Sequence, residues 1–188
     1  MSREEYLAEE RVSEERAEYY AGERYAMVGA SRAHSLITTN LTAAVVTRLV
    51  DRDCEAHSAD LRIKSQATGL YTYPDLSIVC GTPEFEDEHV DTLLNPVVVV
   101  EVLSPSTEGY DRGRKFEHYA QIPSLAEYVL VDPFRAHVDV LTRGDDSWTF
   151  RAAAGLDATL ALTSVDLSIP LAEVYRKVAL DERDALHP

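Results

Sequence analysis

A run of valines limits the folds open to this chain more than any other feature. Residues 97–103 read Val-Val-Val-Val-Glu-Val-Leu, and Pro105 follows closely. Valine is stiff at χ1 and favours strands, and an unbroken apolar run is typical of a strand that is buried on both faces of a sheet. The run therefore predicts a central strand in a mixed sheet.

Helical and strand patterns alternate on both sides of this run. Predicted helices cover residues 4–21, the segment from Ser31 to Leu49, Tyr110–Gln121 and Leu171–Val178. Predicted strands cover Glu23–Val28, Asp60–Ser65 with one solvent-exposed face, the segment after Asp75, and residues 128–131, 137–141 and 148–150. Without a repeat or linker, residues 1–188 are predicted to form one α/β domain with a central sheet flanked by helices.

The charge of the chain bears on its partners. A net charge of -15 weighs against tight autonomous binding to duplex DNA, because neutralising phosphates supplies much of such affinity. Acidic residues cluster at 4–18 and at 84–91, and both blocks are interpreted as solvated surface. Arginines outnumber lysines fifteen to three, so a local cationic groove remains open.

Several simple features concern the compartment of the protein. The N-terminus lacks the apolar core of a signal peptide, and no apolar stretch reaches the length of a membrane span. Cys54 and Cys80 are interpreted as forming no disulfide framework, with Cys80 a small buried hydrophobe. We expect no membrane partner and a cytoplasmic location.

Two carboxylates accompany the apolar runs. Asp75 follows Pro74 at the start of one predicted strand, and Glu101 lies 26 positions later inside the valine run. A buried charge is costly unless something compensates it, and a divalent cation shared by the two acids would compensate both. The alternative is that Asp75 caps a turn and Glu101 pairs with an arginine.

Lysine is scarce enough for the candidates to be compared individually. Only Lys64, Lys115 and Lys177 exist, and Lys115 lies on the helix that follows the Glu101 strand. From there its amino group could orient a water molecule or stabilise charge on a phosphate. The alternative is an ordinary surface pair with Asp111, four residues earlier.

Glu23 and His34 are weaker candidates near the N-terminus. Glu23 could supply a third acid or could neutralise Arg24 or Arg62 instead. His34 begins a helix, where a neutral imidazole can also be purely structural. The histidines show no paired spacing on one helix, which argues against a zinc site.

The motifs around the two acids resemble the Uma2 family of the PD-(D/E)xK nuclease superfamily. The similar segments are Tyr-Pro-Asp-Leu-Ser-Ile-Val-Cys-Gly and Asn-Pro-Val-Val-Val-Val-Glu-Val-Leu-Ser-Pro-Ser-Thr-Glu-Gly-Tyr-Asp-Arg-Gly-Arg-Lys-Phe. The resemblance implies a restriction-endonuclease-like three-layer fold, Mg²⁺ or Mn²⁺ as cofactor, and phosphodiester cleavage. It also implies that Asp75 and Glu101 are the catalytic acids.

The same resemblance suggests roles for the remaining candidates. Leu103 occupies the usual superfamily lysine position, and Lys115 matches the downstream lysine of the Uma2 pattern. Glu23 and His34 match the N-terminal acid and histidine of the family. The ion would be held by Asp75, Glu101 and the backbone carbonyl near Val102.

These observations predict a metal-dependent endonuclease that hydrolyses phosphodiester bonds of DNA. The Leu103 departure and the negative charge keep open a non-catalytic accessory module with the nuclease fold. Hydrolysis of a small phosphate compound is a third possibility, because it demands less basic surface. A homodimer is expected from the habit of the superfamily of cutting two strands.

Overall fold

The computed structural model describes residues 1–27 and 29–180. Its helices are α1 (Arg3–Glu10), α2 (Arg32–Leu49), α3 (Glu108–Tyr110), α4 (Phe116–Tyr119) and α5 (Leu171–Val174), with a π-helical turn at Asp111–Lys115 and a 3-10 turn at Thr163–Val165. Its strands are β1 (Ala17–Tyr20), β2 (Glu23–Ala26), β3 (Cys54–Ser58), β4 (Arg62–Ser65), β5 (Leu70–Thr72), β6 (Leu76–Cys80), β7 (Thr92–Leu93), β8 (Val98–Val102), β9 (Glu127–Val131), β10 (His137–Arg143), β11 (Trp148–Ala154), β12 (Thr159–Leu162) and β13 (Leu167–Pro170).

The valine run forms β8 in the middle of a six-stranded sheet of order β11-β10-β9-β8-β6-β3. Strand β8 pairs parallel with β9 and antiparallel with β6, and all five of its residues are buried. A strand paired on both edges and covered on both faces needs apolar side chains on each face. The prediction of a central buried strand is confirmed.

Helix α2 covers one face of this sheet. Ser31 caps it by accepting a hydrogen bond from the backbone N–H of His34, as its position before the helix predicts. The buried stripe of the helix packs against alternate residues of β6 and β8. The stripe consists of Ile37, Leu41, Ala44, Val45 and Leu49.

The opposite face of the six-stranded sheet packs against a second layer. Val99 of β8 and Tyr128 of β9 meet Tyr119 of α4 and Ile63 of β4 in one apolar cluster. Strand β4 belongs to a five-stranded sheet of order β2-β1-β5-β4-β7. The result is a mixed α/β fold of three layers, with the central sheet between α2 and this second layer, as the sequence predicts.

The strand register brings the two candidate acids together. Strands β6 and β8 pair Leu76 with Val100 and Ser77 with Val99. Continuing this antiparallel register by one residue places Asp75 opposite Glu101. Opposed residues of antiparallel strands are close neighbours, so the register brings two acids that are 26 positions apart in the chain near each other.

Some sequence predictions were wrong. The first helix ends at Glu10 instead of near residue 21, because Ala17–Tyr20 alternates between buried and partly buried positions and pairs with β2 as a strand. Strand β4 does not have the predicted solvent-exposed face, since Arg62 and Lys64 are buried in ion pairs with Asp91 and Glu86.

The prediction for the cysteines was also wrong. Cys54 and Cys80 are cross-strand partners of β3 and β6, and they form a disulfide. Sequence spacing alone gave no indication that the two strands would pair in this register. Because β3 and β6 pair in this register, the two sulfur atoms lie within bonding distance, and Cys80 is not the free buried thiol that was expected.

The limits of the described residues affect two predictions. Val28, at the end of the predicted strand Glu23–Val28, and the last eight positions of the predicted 1–188 domain lie outside them. The predicted closing helix begins at Leu171, but it ends at Val174. Among the described residues, no helix is both long and apolar enough to cross a membrane.

Candidate active site

Asp75 is fixed at the end of the central sheet by two contacts through one oxygen. Its Oδ2 accepts a hydrogen bond of 2.7 Å from the backbone N–H of Val102 and lies 3.2 Å from Nε2 of His34. Burial lowers the pKa of His34, but the hydrogen bond and charge of Asp75 outweigh it, and the pKa lies above its ordinary value. His34 therefore faces Asp75 as a cation more readily than a free imidazole does.

Glu101 projects from β8 into the layer formed by α4 and the five-stranded sheet. Its Oε1 accepts a hydrogen bond of 2.7 Å from the Tyr119 hydroxyl and lies 2.9 Å from Nζ of Lys115. Burial raises the pKa of Glu101 to about 8, although the charge of Lys115 opposes the change. A buried carboxyl whose neighbours include further acids holds its proton more tightly.

A π-helical turn between α3 and α4 carries Lys115. Such turns are rare and occur often at functional sites, because they shift side chains relative to an ordinary α-helix. Both ends of the turn, Asp111 and Lys115, are buried, while Arg112 and Arg114 between them are exposed. The turn thereby directs the amino group of Lys115 toward Glu101.

Two further acids surround Lys115. Its Nζ lies 3.1 Å from Oε1 of Glu18 and 3.7 Å from Oδ1 of Asp111. Glu18 also accepts a hydrogen bond from the Thr72 hydroxyl. Burial lowers the pKa of Lys115, but the charges of Glu101, Glu18 and Asp111 raise it well above its ordinary value. Lys115 is the shared cation of three carboxyl groups.

The structure brings most of the sequence-predicted residues together. Hydrogen bonds, ion pairs and the β8 backbone connect them in one group, which we call the acid–lysine cluster. Its members are Asp75, Glu101, Lys115, His34, the Val102 backbone, Glu18, Asp111 and Tyr119. Of the alternatives, the pairing of Lys115 with Asp111 is only part of what the structure shows. Lys115 does lie near Asp111, but its shortest ion pair is with Glu101, and the pair is buried.

Among the described residues, the Glu23 side chain makes no hydrogen bond or ion pair with this cluster. It lies on the exposed strand β2, where its carboxylate accepts a hydrogen bond of 2.7 Å from the Tyr25 hydroxyl. In the described part of the chain, the acids that form ion pairs with Lys115 are Glu18, Glu101 and Asp111. The acid that β1 and β2 contribute to the cluster is therefore Glu18.

Sequence reasoning missed Glu18 because it lies within the N-terminal acidic block. The block was interpreted as solvated surface, yet Glu10 is buried and the Glu18 side chain is only 15% exposed. The available signal was local: Ala17-Glu18-Tyr19-Tyr20 places two tyrosines beside an acid, which is unusual for a purely solvated helix. The segment 84–91 is likewise partly engaged, since Asp87 and Asp91 pair with Arg11.

Each of the two central acids has one oxygen held by the protein and one left open. Among the described residues, neither Oδ1 of Asp75 nor Oε2 of Glu101 makes a hydrogen bond or ion pair. Over the same residues, no group of three or more His, Cys, Asp and Glu side chains is arranged to hold a metal ion. Any ion here would depend on two carboxylates together with backbone or water oxygens.

The strand order and the packing of the layers define this chain as a three-layer mixed α/β protein. It is similar to a crystal structure described as "a putative nuclease belonging to DUF820" from Anabaena variabilis, with a TM-score of 0.76 and 19% sequence identity. The match covers 93% of this chain and 97% of that chain. At this identity, the likeness shows the shared fold.

The chain belongs to the Uma2 family, whose model carries the description "Putative restriction endonuclease" and matches residues 3–172. Two proteins of Synechocystis are similar to it. "Uncharacterized protein slr1290" is 39% identical over 95% of this chain and 93% of the relative, and "Uncharacterized protein sll1609" is 34% identical over 83% and 89%. The resemblance read from the two acidic motifs is thus confirmed.

Proposed function

We propose that the protein is a metal-dependent endonuclease that hydrolyses phosphodiester bonds of DNA. The observation that carries the proposal is the acid–lysine cluster, in which Asp75 stands opposite Glu101 and Lys115 contacts Glu101 directly. Two acids on paired strands and one lysine are sufficient equipment for metal-assisted cleavage of a phosphodiester. Membership of a family described as a restriction endonuclease agrees with this chemistry.

The residues present fit a hard divalent cation such as Mg²⁺ or Mn²⁺. Asp75 and Glu101 each offer an open carboxylate oxygen, and the backbone carbonyl of Val102 would complete the protein ligands. Oxygen donors of this kind are the ones that Mg²⁺ prefers, with water at its remaining positions. When bound, such an ion lowers the pKa of a water molecule and neutralises phosphate charge.

The protein groups around the ion would have separate tasks. Lys115 would orient the attacking water and stabilise the negative charge that develops on the phosphate. Tyr119 holds Glu101 by its hydroxyl, and His34 and the Val102 N–H hold Asp75. These contacts fix one oxygen of each acid, so both acids are oriented before any substrate binds.

The position of Lys115 answers the main objection from the sequence. Leu103 stands where the nuclease superfamily usually has a lysine, and in this fold its side chain is buried in the apolar cluster of the second layer. The amino group that reaches Glu101 comes instead from the π-helical turn, at 2.9 Å. The lysine function is therefore available from a different element.

Substitution of Asp75 by asparagine tests the proposal most directly. Asp75→Asn keeps the shape and an oxygen that can accept from Val102, but it removes the charge that would hold the ion. We expect DNA cleavage in Mg²⁺ or Mn²⁺ to fall about a hundredfold or more, since each charge-stabilising group of a catalytic site is worth roughly 10²–10³ in rate. Asp145→Asn, in the exposed turn between β10 and β11, is the matched control.

Calorimetric titration with Mn²⁺ separates the alternatives. Binding to the unaltered protein and to Asp145→Asn, but not to Asp75→Asn, supports the metal site. Cleavage by Asp75→Asn at the rate of the unaltered protein would contradict the assignment. If the unaltered protein neither binds Mn²⁺ nor cuts DNA, the accessory-module alternative replaces the proposal. Turnover on a small phosphodiester but not on oligonucleotides would favour the small-substrate alternative.

A further inference from the structure

Almost every cation in the described part of the chain is engaged with an acid or a carbonyl group. The exceptions, whose side chains make no hydrogen bond or ion pair among the described residues, are Arg32, Arg114, Arg176 and Lys177. All four are exposed.

Two of these four cations lie within two residues of members of the acid–lysine cluster in the chain. Arg114 precedes Lys115 in the π-helical turn. Arg32 begins α2, two residues before His34, whose imidazole faces Asp75. Arg176 and Lys177 instead follow α5, near the C-terminal end of the described residues. The unpaired cations beside the cluster come from two separate elements, one on the Asp75 side and one on the Lys115 side.

Aromatic side chains lie beside Arg114. The β1–β2 register pairs Glu18 with Tyr25 and Tyr20 with Glu23, so these four residues share one face of the hairpin. On that face Tyr20 contacts the ring of His118, with ring centroids 4.5 Å apart, and Tyr25 is 48% exposed. Arg114 directly precedes Lys115, which contacts Glu18 on this face, and lies four residues before His118, which contacts Tyr20, so it comes from the segment that packs against this face.

An exposed arginine and an exposed tyrosine on neighbouring elements are suited to one kind of ligand. The guanidinium group binds phosphate oxygens through paired donors, and an aromatic ring stacks on an unpaired base. Glu18 anchors this face to Lys115 at 3.1 Å, so a strand lying across it would reach the acid–lysine cluster. Two acids lie on this face: Glu18 pairs with Lys115, and the carboxylate of Glu23 accepts a hydrogen bond from the Tyr25 hydroxyl.

We propose that Arg114 and Arg32 bind the phosphates of a nucleic-acid strand on opposite sides of the cluster, while Tyr25 provides a stacking surface for a base. The inference rests on the proposed nuclease function and identifies the substrate contacts of that site. It also reconciles the negative net charge with a polyanionic substrate. Only a short, locally cationic track is needed if the strand is gripped next to the reacting phosphate.

Fluorescence anisotropy with a labelled single-stranded DNA oligonucleotide tests the inference. The titration is carried out in EDTA, so that binding is measured without cleavage. Arg114→Gln and Arg32→Gln should each weaken binding several-fold and reduce the slope of log K against log salt by about 0.7. Arg176→Gln and Lys177→Gln remove the same charge elsewhere, and both should leave affinity and slope unchanged.

The aromatic contact has its own matched pair. Tyr25→Ser should weaken binding about fivefold or more, because base stacking on an aromatic ring is worth roughly 1–3 kcal/mol. Phe150→Ser, which removes a ring that is 61% exposed on the edge strand β11, should have no effect. Each variant concerns an exposed side chain, and its thermal unfolding should match that of the unaltered protein.

Other results would overturn the inference. It fails if all four charge variants weaken binding equally, since only net charge would then matter. It also fails if Arg114→Gln binds as well as the unaltered protein, or if that protein does not bind the oligonucleotide. Binding that depends on Arg114 in a protein that cuts nothing would keep the inference and reject the nuclease. Cleavage that is unaffected by Arg114→Gln and Arg32→Gln would keep the nuclease proposal and reject the inference.

Discussion

Removing the charge of Lys115 should destabilise the folded protein strongly. Its Nζ lies 2.9 Å from Glu101, 3.1 Å from Glu18 and 3.7 Å from Asp111, and its side chain is only 7% exposed. Lys115→Met replaces it with an unbranched apolar side chain and leaves three carboxyl groups without their shared cation. Breaking a buried ion pair from one side costs about 3–5 kcal/mol, which corresponds to a fall in Tm of roughly 6–20 °C for a chain of this size.

The loss should also depend on pH in a definite direction. Lys115 lowers the pKa of both Glu101 and Asp111, and burial already raises the pKa of each above its ordinary value. Without the lysine both pKa values rise further, so the folded state binds more protons than the unfolded state. Stability then falls as the pH rises. This loss of stability extends over the pH range from 4.5, the ordinary pKa of a glutamate, to beyond 8, since the pKa of Glu101 is already about 8 with Lys115 present.

Urea unfolding in EDTA, followed at several pH values from 5 to 8, measures both effects. Lys177→Met is the matched control, because Lys177 is exposed and makes no ion pair among the described residues; we expect it to change stability by no more than about 0.5 kcal/mol. A Lys115→Met protein within about 1 kcal/mol of this control at pH 8 would refute the argument, since removing one partner of a buried ion pair is expected to cost more. So would a stability difference between the two variants that shrinks as the pH rises.

Two further predictions concern parts of the fold outside the cluster. Cys54→Ser with Cys80→Ser should lower the free energy of unfolding under oxidising conditions by roughly 3 kcal/mol, because the disulfide closes a segment of 26 residues and restricts the unfolded chain. Burial raises the pKa of Asp91, but the hydrogen bond from Arg11 and the charge of Arg62 bring it down from 3.8 to about 2. Asp91→Asn should therefore cost stability above about pH 4, and this cost should disappear as the pH falls toward 2.

Each of these two measurements has a simple control. Under reducing conditions the double cysteine variant and the unaltered protein should unfold at similar urea concentrations, and a persistent difference would mean that packing, not the cross-link, was lost. Asp145→Asn removes an exposed carboxylate in the turn before β11, and it should leave the dependence of stability on pH between pH 2 and 6 unchanged. An Asp91→Asn curve parallel to that of the unaltered protein from pH 2 to 6 would contradict the ion-pair explanation.

The central strand and its acid were predictable because the signals are local and strong. Four consecutive valines have few alternatives to a doubly covered strand, and Glu101 within that run needs compensation wherever the strand lies. Ser31 likewise marked the start of α2 through a capping preference that depends on a few neighbouring residues. The rarity of lysine then pointed to Lys115.

The errors lie where long-range contacts decide. Arg62 and Lys64 alternate along β4 as though one face were wet, yet both are buried, because Asp91 and Glu86 from a segment more than twenty residues away provide counter-charges. Glu18 was hidden within a block of seemingly solvated acids, and only the pairing of β1 with β5 and the proximity of Lys115 give it a buried partner. Local composition carries no record of such contacts.

By itself, the sequence determined the class of fold, the strand that forms its centre, and the two acids and one lysine of the candidate site. Those choices follow from side-chain shape, hydrophobicity and the cost of burying charge, all of which are properties of short segments. Only the tertiary structure decided which acids share Lys115, because that requires β1, β8 and a π-helical turn to meet in one place. The same assembly left the side chains of Arg32 and Arg114 without an ion-pair partner among the described residues, which no local pattern in the chain could reveal.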